Sequence, residues 1–395
     1  MVRVRENVLS GAGVWSDTLL WYARGVKKLK ERSWSDRTSW RFLAGIHGFD
    51  PQRWAEVGAF TEGETPPRLA DRRKFWQQCQ HQTWYFLPWH RAYLAIFEAI
   101  IRDALTDVAD FPSDWALPYW DYGSAGNPSG ERRMPQAFAE PDWPDEGTNP
   151  LFESVRYGLY SDGVIRVTDE DASVEAALNE VEFSGTVSSA SPGLGGPVSP
   201  FTHYGGQHFP ATPNGLLEDQ PHNTLHGVVG GSKGNIAGIM SDPTTAALDP
   251  IFWLHHANID RLWEIWLRRT GSRGNPTSND WLDGPMDRKF ELPVADGGSQ
   301  VFTARGVVDS QQAFDYKYEN IEDPLAGLSR ARSVAKHRGG VRPERGGGLG
   351  SVYRTFGLKR CKPRAWNRAC RDWREARQTG QGQSQSELHR RWSIG

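Results

Sequence analysis

The stretch HQTWYFLPWHRAYLAIFE, residues 81–98, brackets a cluster of Trp, Tyr and Phe with two of the chain's 11 histidines. Proline suits the first helical position, and after Pro88 apolar residues recur at helical spacing: Trp89, Tyr93, Ile96, Phe97 and Ile100. His90 is therefore predicted in the first turn of a helix. His81 must come from the segment before it, because an unbroken helix would set the two residues on opposite faces. Two imidazoles converging from a loop and a helix, walled by aromatics, suggest part of a metal site.

The rest of the chain must supply the partners. It has 395 residues, 38% hydrophobic and 12% aromatic, with 18 tryptophans concentrated between Trp15 and Trp281. That is enough for a substantial core in one large domain or two ordinary ones. No apolar run approaches the roughly 18 residues of a membrane helix, so no membrane partner is expected. The start, MVRVRENVLSGAG, carries positive charge without a following apolar stretch, so no secretory signal is read there. Three cysteines (Cys79, Cys361, Cys370) are too few for a disulfide framework. A cytoplasmic location is the expectation, with export alongside a partner as the alternative.

The net charge of -2 hides an asymmetry. Residues 328–395 hold 17 Lys and Arg against 4 Asp and Glu, so the first 327 residues carry a net -15. An acidic core argues against nucleic acid as a partner. The basic Arg- and Gly-rich tail, residues 329–395, reads as linker and disordered chain. This leaves residues 1–328 as the folded domain.

Within that domain four zones follow one another. Residues 1 to about 125 read as helical, with SDTLLWYARGVKKLKER capped by Ser16, SWRFLAGIHGFD as a second helix, and a Pro- and aromatic-rich turn, DWALPYWDY, at the end. Residues 123 to about 215 are loop-rich, most clearly at SGTVSSASPGLGGPVSP. Residues 216 to about 270 return to helices, and LDPIFWLHHANIDRLWEIWLRR is the clearest in the chain, capped by Asp249 with Pro250 at its first position. From residue 275 to about 328 the expectation is irregular structure with short strands such as SQVFTARGVV.

Nine of the histidines fall between residues 47 and 256. In PHNTLHGVVGG, His222 and His226 are four apart and share a helix face. His255 and His256 lie about 100° apart on one helix, so only one is expected to point at a given centre. His47 closes the helix SWRFLAGIH. The set divides into His47, His81 and His90, and His222, His226 and one of His255 or His256. Neither group contains a thiolate pair or an obvious carboxylate ligand. All-imidazole ligation suits Cu, Zn, Fe or Ni rather than Mg or Ca.

With these residues in view the chain resembles the type-3 copper proteins: tyrosinases, catechol oxidases, o-aminophenol oxidases and molluscan haemocyanins. HQTWYFLPWHRAYLAIFE fits the family's first-copper pattern through His81, Phe86, Trp89, His90, Arg91, Leu94 and Glu98. DPIFWLHHANID fits the second-copper pattern, which assigns the ligand to His256 and leaves His255 as its neighbour. LEDQPHNTLHG matches the second-copper helix, AGIHG the setting of His47, and LPYWDY an element between the sites. The resemblance spans residues 5 to about 325. It implies a mainly α fold, a four-helix bundle around two copper ions, with long irregular loops and a few short strands. It also implies dioxygen as co-substrate and a small phenolic substrate, oxidised to an o-quinone-type product.

Further residues acquire roles through the same resemblance. Cys79, two before His81, matches a Cys-x-His arrangement that forms a thioether to the copper ligand; the other reading is a buried free thiol. Glu218 and Asn223 match the pair that holds a water able to deprotonate a monophenol, although a helix-end charge and a surface amide would look the same. Asp260, one turn after His256, would either orient a ligand imidazole or pair with an arginine. Gly227 leaves space beside the second copper. A copper-delivery protein is a further implied partner. The same six histidines would also serve reversible dioxygen binding, as in haemocyanin, but no C-terminal β-sandwich is evident that would bury the site. A dizinc hydrolase would usually include carboxylate ligands.

Overall fold

Two helices carry the longest apolar patterns of the chain, and both end up inside it. In chain order the helices are α1 (Asp17–Glu31), α2 (Trp40–His47), α3 (Pro51–Glu56), α4 (Leu69–Phe75), α5 (Phe86–Leu105), α6 (Glu175–Asn179), α7 (Thr224–Gly230), α8 (Pro250–Arg268), α9 (Asn279–Leu282) and α10 (Ser310–Phe314). These come from a computed structural model, which describes residues 1–326 apart from 11–12, 62, 124–131, 159–163, 187, 200 and 203–211. The tail from residue 329 and its expected disorder lie outside the described residues.

Helix α8 is buried from Pro250 to Trp266, its polar residues His255, His256, Asn258, Asp260, Arg261 and Glu264 included. Its start is fixed locally: the Asp249 side chain accepts from the Ile251 amide, and Pro250 supplies the preset φ of the first position. Helix α5 packs beside it, with Phe97 stacked on Trp253 at 3.6 Å between ring centroids. This helix begins at Phe86, two residues before the expected start, so Pro88 occupies its third position. The shift costs nothing, because the first amides of a helix have no intrahelical acceptor for proline to lose.

The other two members of the bundle are tied to this pair. Helix α1 is capped by Ser16, as predicted, and presses Gly25 against α5, where an added Cβ would lie 2.7 Å from Ile101. Helix α2, capped by Ser39, is anchored to the residues around the start of α8 when Trp40 Nε1 donates to the Leu248 carbonyl at 3.0 Å. Tyr22 of α1 donates to the Pro250 carbonyl at 2.7 Å. Helix α7 is preceded by a wide turn, residues 218–223, that contains Pro221 and a non-helical Gln220. It ends at Gly231, whose φ of +60° and close approach to the Tyr157 backbone leave no room for a side chain.

Strands are few and short. β1 (Arg3–Arg5) runs parallel to β6 (Tyr316–Tyr318), joining the chain start to its last described strand. β2 (Ser232–Lys233) pairs with β3 (Ile236–Ala237), and β4 (Phe290–Pro293) with β5 (Ser299–Phe302), both antiparallel. The expected strand SQVFTARGVV is thus a strand for four residues and then a single helical turn, Ala304–Gly306. DWALPYWDY, predicted as a turn, has turn residues at Asp114 and Tyr122, and between them the Tyr119 and Trp120 amides donate to the carbonyls of Glu6 and Leu254. Among the described residues no helix is long and apolar enough to cross a membrane.

The α8 cap is also one half of a buried ion pair. Arg156 Nε and Nη2 reach the two Asp249 oxygens at 2.7 and 2.6 Å, with both side chains inaccessible to water. Removing the carboxylate by Asp249→Ala should strand the guanidinium and lower stability by about 3–5 kcal/mol, measured by urea unfolding. A loss below about 1 kcal/mol, the range of exposed pairs, would show that α8 does not depend on this start.

Candidate metal centre

Four elements deliver histidines to one place. His47 is the last residue of α2, His81 lies in the loop before α5, and His90 sits in the first turns of α5. With Cys79 they form a group whose potential ligand atoms all lie within 4.8 Å of one another. His222 from the wide turn, His226 from α7, and His255 and His256 from α8 form a second such group. The groups face each other: the rings of His90 and His256 stack at 4.3 Å, and those of His81 and His222 are 5.9 Å apart. Phe86, Trp89 and Phe252 wall the site, with Phe252 4.2 Å from the His256 ring and 4.9 Å from that of His47.

The rings are aimed by the backbone. His47, His90 and His226 each hold Nδ1 2.8 Å from a carbonyl, those of Pro243, Phe86 and Met240 respectively. His222 Nδ1 lies 3.0 Å from Asn223 Oδ1 and 3.2 Å from the Glu218 carbonyl. A carbonyl can only accept, so Nδ1 carries the hydrogen and Nε2 turns a lone pair inward. Burial, reinforced by neighbouring imidazoles, holds His90, His222, His255 and His256 well below the usual histidine pKa, and the rings stay neutral.

Ring nitrogens of the second group converge on one another. His226 Nε2 lies 3.4 Å from His256 Nε2, and the buried Nε2 of His222 and Nδ1 of His256 have no hydrogen-bond partner among the described residues. Converging neutral imidazoles fit a late first-row cation in each group, and no carboxylate oxygen belongs to either. The residues present fit a pair of copper ions.

His255 departs from expectation. Both members of the His255–His256 pair reach the second group, because consecutive residues straddle the α8 face turned toward it. They are not equivalent: the His256 ring abuts His90 and Phe252, whereas His255 lies on His222 at 5.4 Å and on Tyr122 at 5.6 Å. Cys79 Sγ is 3.7 Å from Nδ1 and 3.6 Å from Nε2 of His81. That near-equal reach puts the sulfur close to the plane that bisects the two nitrogens and contains Cε1.

Asp260 does not orient an imidazole. Its oxygens accept from Arg91 Nε and from the hydroxyls of Tyr316 and Tyr318, each at 2.6 Å. The arginine alternative is the one the structure adopts, since the α8 turn after His256 faces Arg91 rather than the rings. Glu218 is fully buried and accepts the Gln82 amide with both oxygens at 2.9 Å. Burial pushes its pKa up to about 8, against the pull of the Gln82 and Gly215 amides. Gln82, beside His81, has a left-handed φ of 57°.

A cavity of about 290 Å³ opens onto the rings, lined by His47, His81, His222, Asn223, His226, Gly227, Met240, Ser241 and Pro243. Gly227 is exposed at its edge, and an added Cβ there would meet nothing within 4 Å. No sequence pattern marks Met240, Ser241 or Pro243, although two of them also supply carbonyls that aim ligands.

Comparison with known proteins follows the same lines. The family model for the common central domain of tyrosinase matches residues 37–269. A tyrosinase from Hahella sp. (strain CCB-MM4) is 38% identical over 343 residues, covering 84% of this chain and 66% of that protein. The latent chloroplastic polyphenol oxidase of Prunus armeniaca is 27% identical, over 62% of this chain and 39% of its own length. The chain therefore spans 66% or less of these curated relatives. Among solved structures, latent apple tyrosinase superposes with a TM-score of 0.57 at 21% identity, over 82% of this chain and 64% of that one. A Grenache (Vitis vinifera) polyphenol oxidase gives 0.55 at 24%, over 81% and 86%. At these identities the structures establish a shared fold.

The buried Glu218 has a consequence for metal-free protein. A carboxyl whose pKa rises on folding holds its proton in the native state where the unfolded chain has lost it, so stability falls as pH rises from 4.5 to about 8. Urea titrations of wild type and Glu218→Gln should therefore diverge across that window, with the variant gaining relative to wild type. A constant gap would mean that Glu218 is not held neutral.

Proposed function

The chain belongs to the tyrosinase family, and we propose that it is a copper-dependent oxidase of small phenols that uses dioxygen. The observation that carries this reading is the pair of facing imidazole groups open to a ring-sized cavity. His47, His81 and His90 would hold one copper, and His222, His226 and His256 the other. When bound, the copper pair supplies dioxygen activation and accepts the two electrons that turn an o-diphenol into an o-quinone.

The chain's own residues prepare the site for that chemistry. Nδ1–H bonds to carbonyls fix ring planes and tautomers, so little rearrangement accompanies loading. Cys79, whose sulfur lies beside the His81 ring, would form a thioether that fixes this ring by losing its S–H hydrogen and a ring C–H hydrogen in a two-electron oxidation, with dioxygen at the loaded copper pair as the oxidant. Phe86, Trp89 and Phe252 keep the site dry, and Gly227 leaves room for a substituted ring. For monophenols, a water held between Glu218 and the side-chain amide of Asn223 would take the hydroxyl proton. Glu218 supports this role because its pKa of about 8 lets it exchange a proton near neutrality, and Asn223 because it lines the cavity. The open mouth beside Gly227 favours turnover over closed dioxygen carriage. It is also where a copper-delivery protein would reach ligands that are otherwise buried.

Two experiments test the reading. Copper-loaded protein should take up oxygen with a catechol, an o-aminophenol or tyrosine supplied in parallel. Asn223→Ala should lower monophenol turnover by about 100-fold or more while catechol turnover persists. Stoichiometric dioxygen binding without turnover of any substrate would replace the oxidase with a carrier. Copper analysis addresses the ligands: His256→Ala should bind one copper and His255→Ala two, and the reverse pattern would transfer the ligand role to His255.

A further inference from the structure

On the α5–α8 contact, one residue from His90 and one turn from His256, lies a cluster of buried charges. Arg91 follows His90 on α5 and is fully buried. Its Nε donates to Asp260 Oδ1 at 2.6 Å, Nη2 to Glu264 Oε1 at 2.8 Å and Nη1 to the Val308 carbonyl at 2.8 Å. The guanidinium carbon sits 3.9 Å above the Trp263 ring. Asp260 and Glu264 are one turn apart on α8, so the planar fork of one α5 residue spans two consecutive turns of the facing helix.

Other elements hold Asp260 in turn. Its Oδ2 accepts the hydroxyls of Tyr316 and Tyr318 from β6, and Arg5 Nη1 of β1 approaches to 3.7 Å. Arg5 also donates to Glu98 of α5 at 2.9 Å, and its guanidinium lies 3.6 Å from the centroid of the Tyr316 ring. The cluster thus closes on α5 at both ends.

Such a cluster is a poor way to gain stability alone, since well-packed apolar residues of similar volume serve as well or better. What it provides is register. Apolar faces tolerate sliding, whereas a guanidinium that bridges two carboxylates loses its bonds after a displacement of a fraction of a residue. His90 and His256 belong to different copper groups, so the α5–α8 register sets the distance between them.

We propose that Arg91 and Asp260 are positioning residues that fix the separation of the two copper ions by locking α5 against α8. This rests on the dicopper reading above. Their side chains touch neither substrate nor metal, and they act through His90 and His256.

The test compares copper-loaded, oxidised wild type with Arg91→Lys, the double variant Tyr316→Phe/Tyr318→Phe, and Leu29→Ala as a core truncation in α1. Copper per chain, thermal midpoint and the EPR signal per copper are read on each. Two Cu(II) ions held close enough to share a bridging ligand couple their spins and give no signal. Wild type should bind two coppers and be silent. Arg91→Lys should keep two coppers but become EPR-active, with kcat falling about 10–100-fold. Leu29→Ala should lose thermal stability yet stay silent. If Arg91→Lys fails to fold, the double Tyr→Phe variant, which strips only hydroxyls from Asp260, should show the signal. Silence in Arg91→Lys, or in the double variant where the lysine variant does not fold, overturns the proposal. A wild type that fails to bind a silent copper pair overturns the dicopper reading and this inference with it.

Discussion

Seven imidazoles in two facing groups, with ring nitrogens as close as 3.4 Å, are the constraint around which the molecule is built. Protonation would relieve their crowding only by creating buried like charges, which desolvation forbids. Orientation is therefore imposed from outside. Carbonyls of Pro243, Phe86 and Met240 take the Nδ1 hydrogens, and each carbonyl lies on a segment fixed by something else. That of Phe86 belongs to the first turn of α5, where it serves as the acceptor four residues before His90. Those of Met240 and Pro243 sit in the connection between α7 and α8, whose far end is pinned by the Asp249–Arg156 pair.

Local signals account for what could be read in advance. Ser16, Ser39 and Asp249 precede helical patterns and cap them, as such residues do when their side chains accept a first-turn amide. The histidine spacing was legible for the same reason, since helix geometry alone brings residues four apart to one face. It does not separate His255 from His256, because neighbours 100° apart can flank a site as readily as take turns at it. The start of α5 was displaced because proline is tolerated at any of the first helical positions.

Long-range electrostatics left no comparable trace. Glu218 pairs with an amide 136 residues away, and Asp260 with tyrosines 56 and 58 residues further on. Neither partner is marked by periodicity or composition. Asp260, one turn from His256, looks like a group that could orient an imidazole, and only the packing of α5 on α8 shows that Arg91 reaches it first. Of the core ion pairs the sequence offered only the pairing of Asp260 with an arginine, and Arg156, the partner of Asp249, stands in none of the quoted motifs.

The segment from Met240 to Pro243 joins two functions that are usually separable. Its carbonyls aim His226 and His47, one histidine in each group, while Met240, Ser241 and Pro243 line the cavity where a substrate ring would lie. Side chains here can change the shape of the cavity without disturbing the carbonyls, so what the cavity admits can drift while ring orientation is retained. A change in backbone path, by insertion or deletion, would move both ligands at once. Ser241 ties the segment down, its hydroxyl donating to the Gly231 carbonyl at 2.9 Å just past the end of α7. Gly231 in turn tolerates no side chain, because the Tyr157 backbone crosses it. Cavity wall, ring orientation and helix end are thus one mechanical unit.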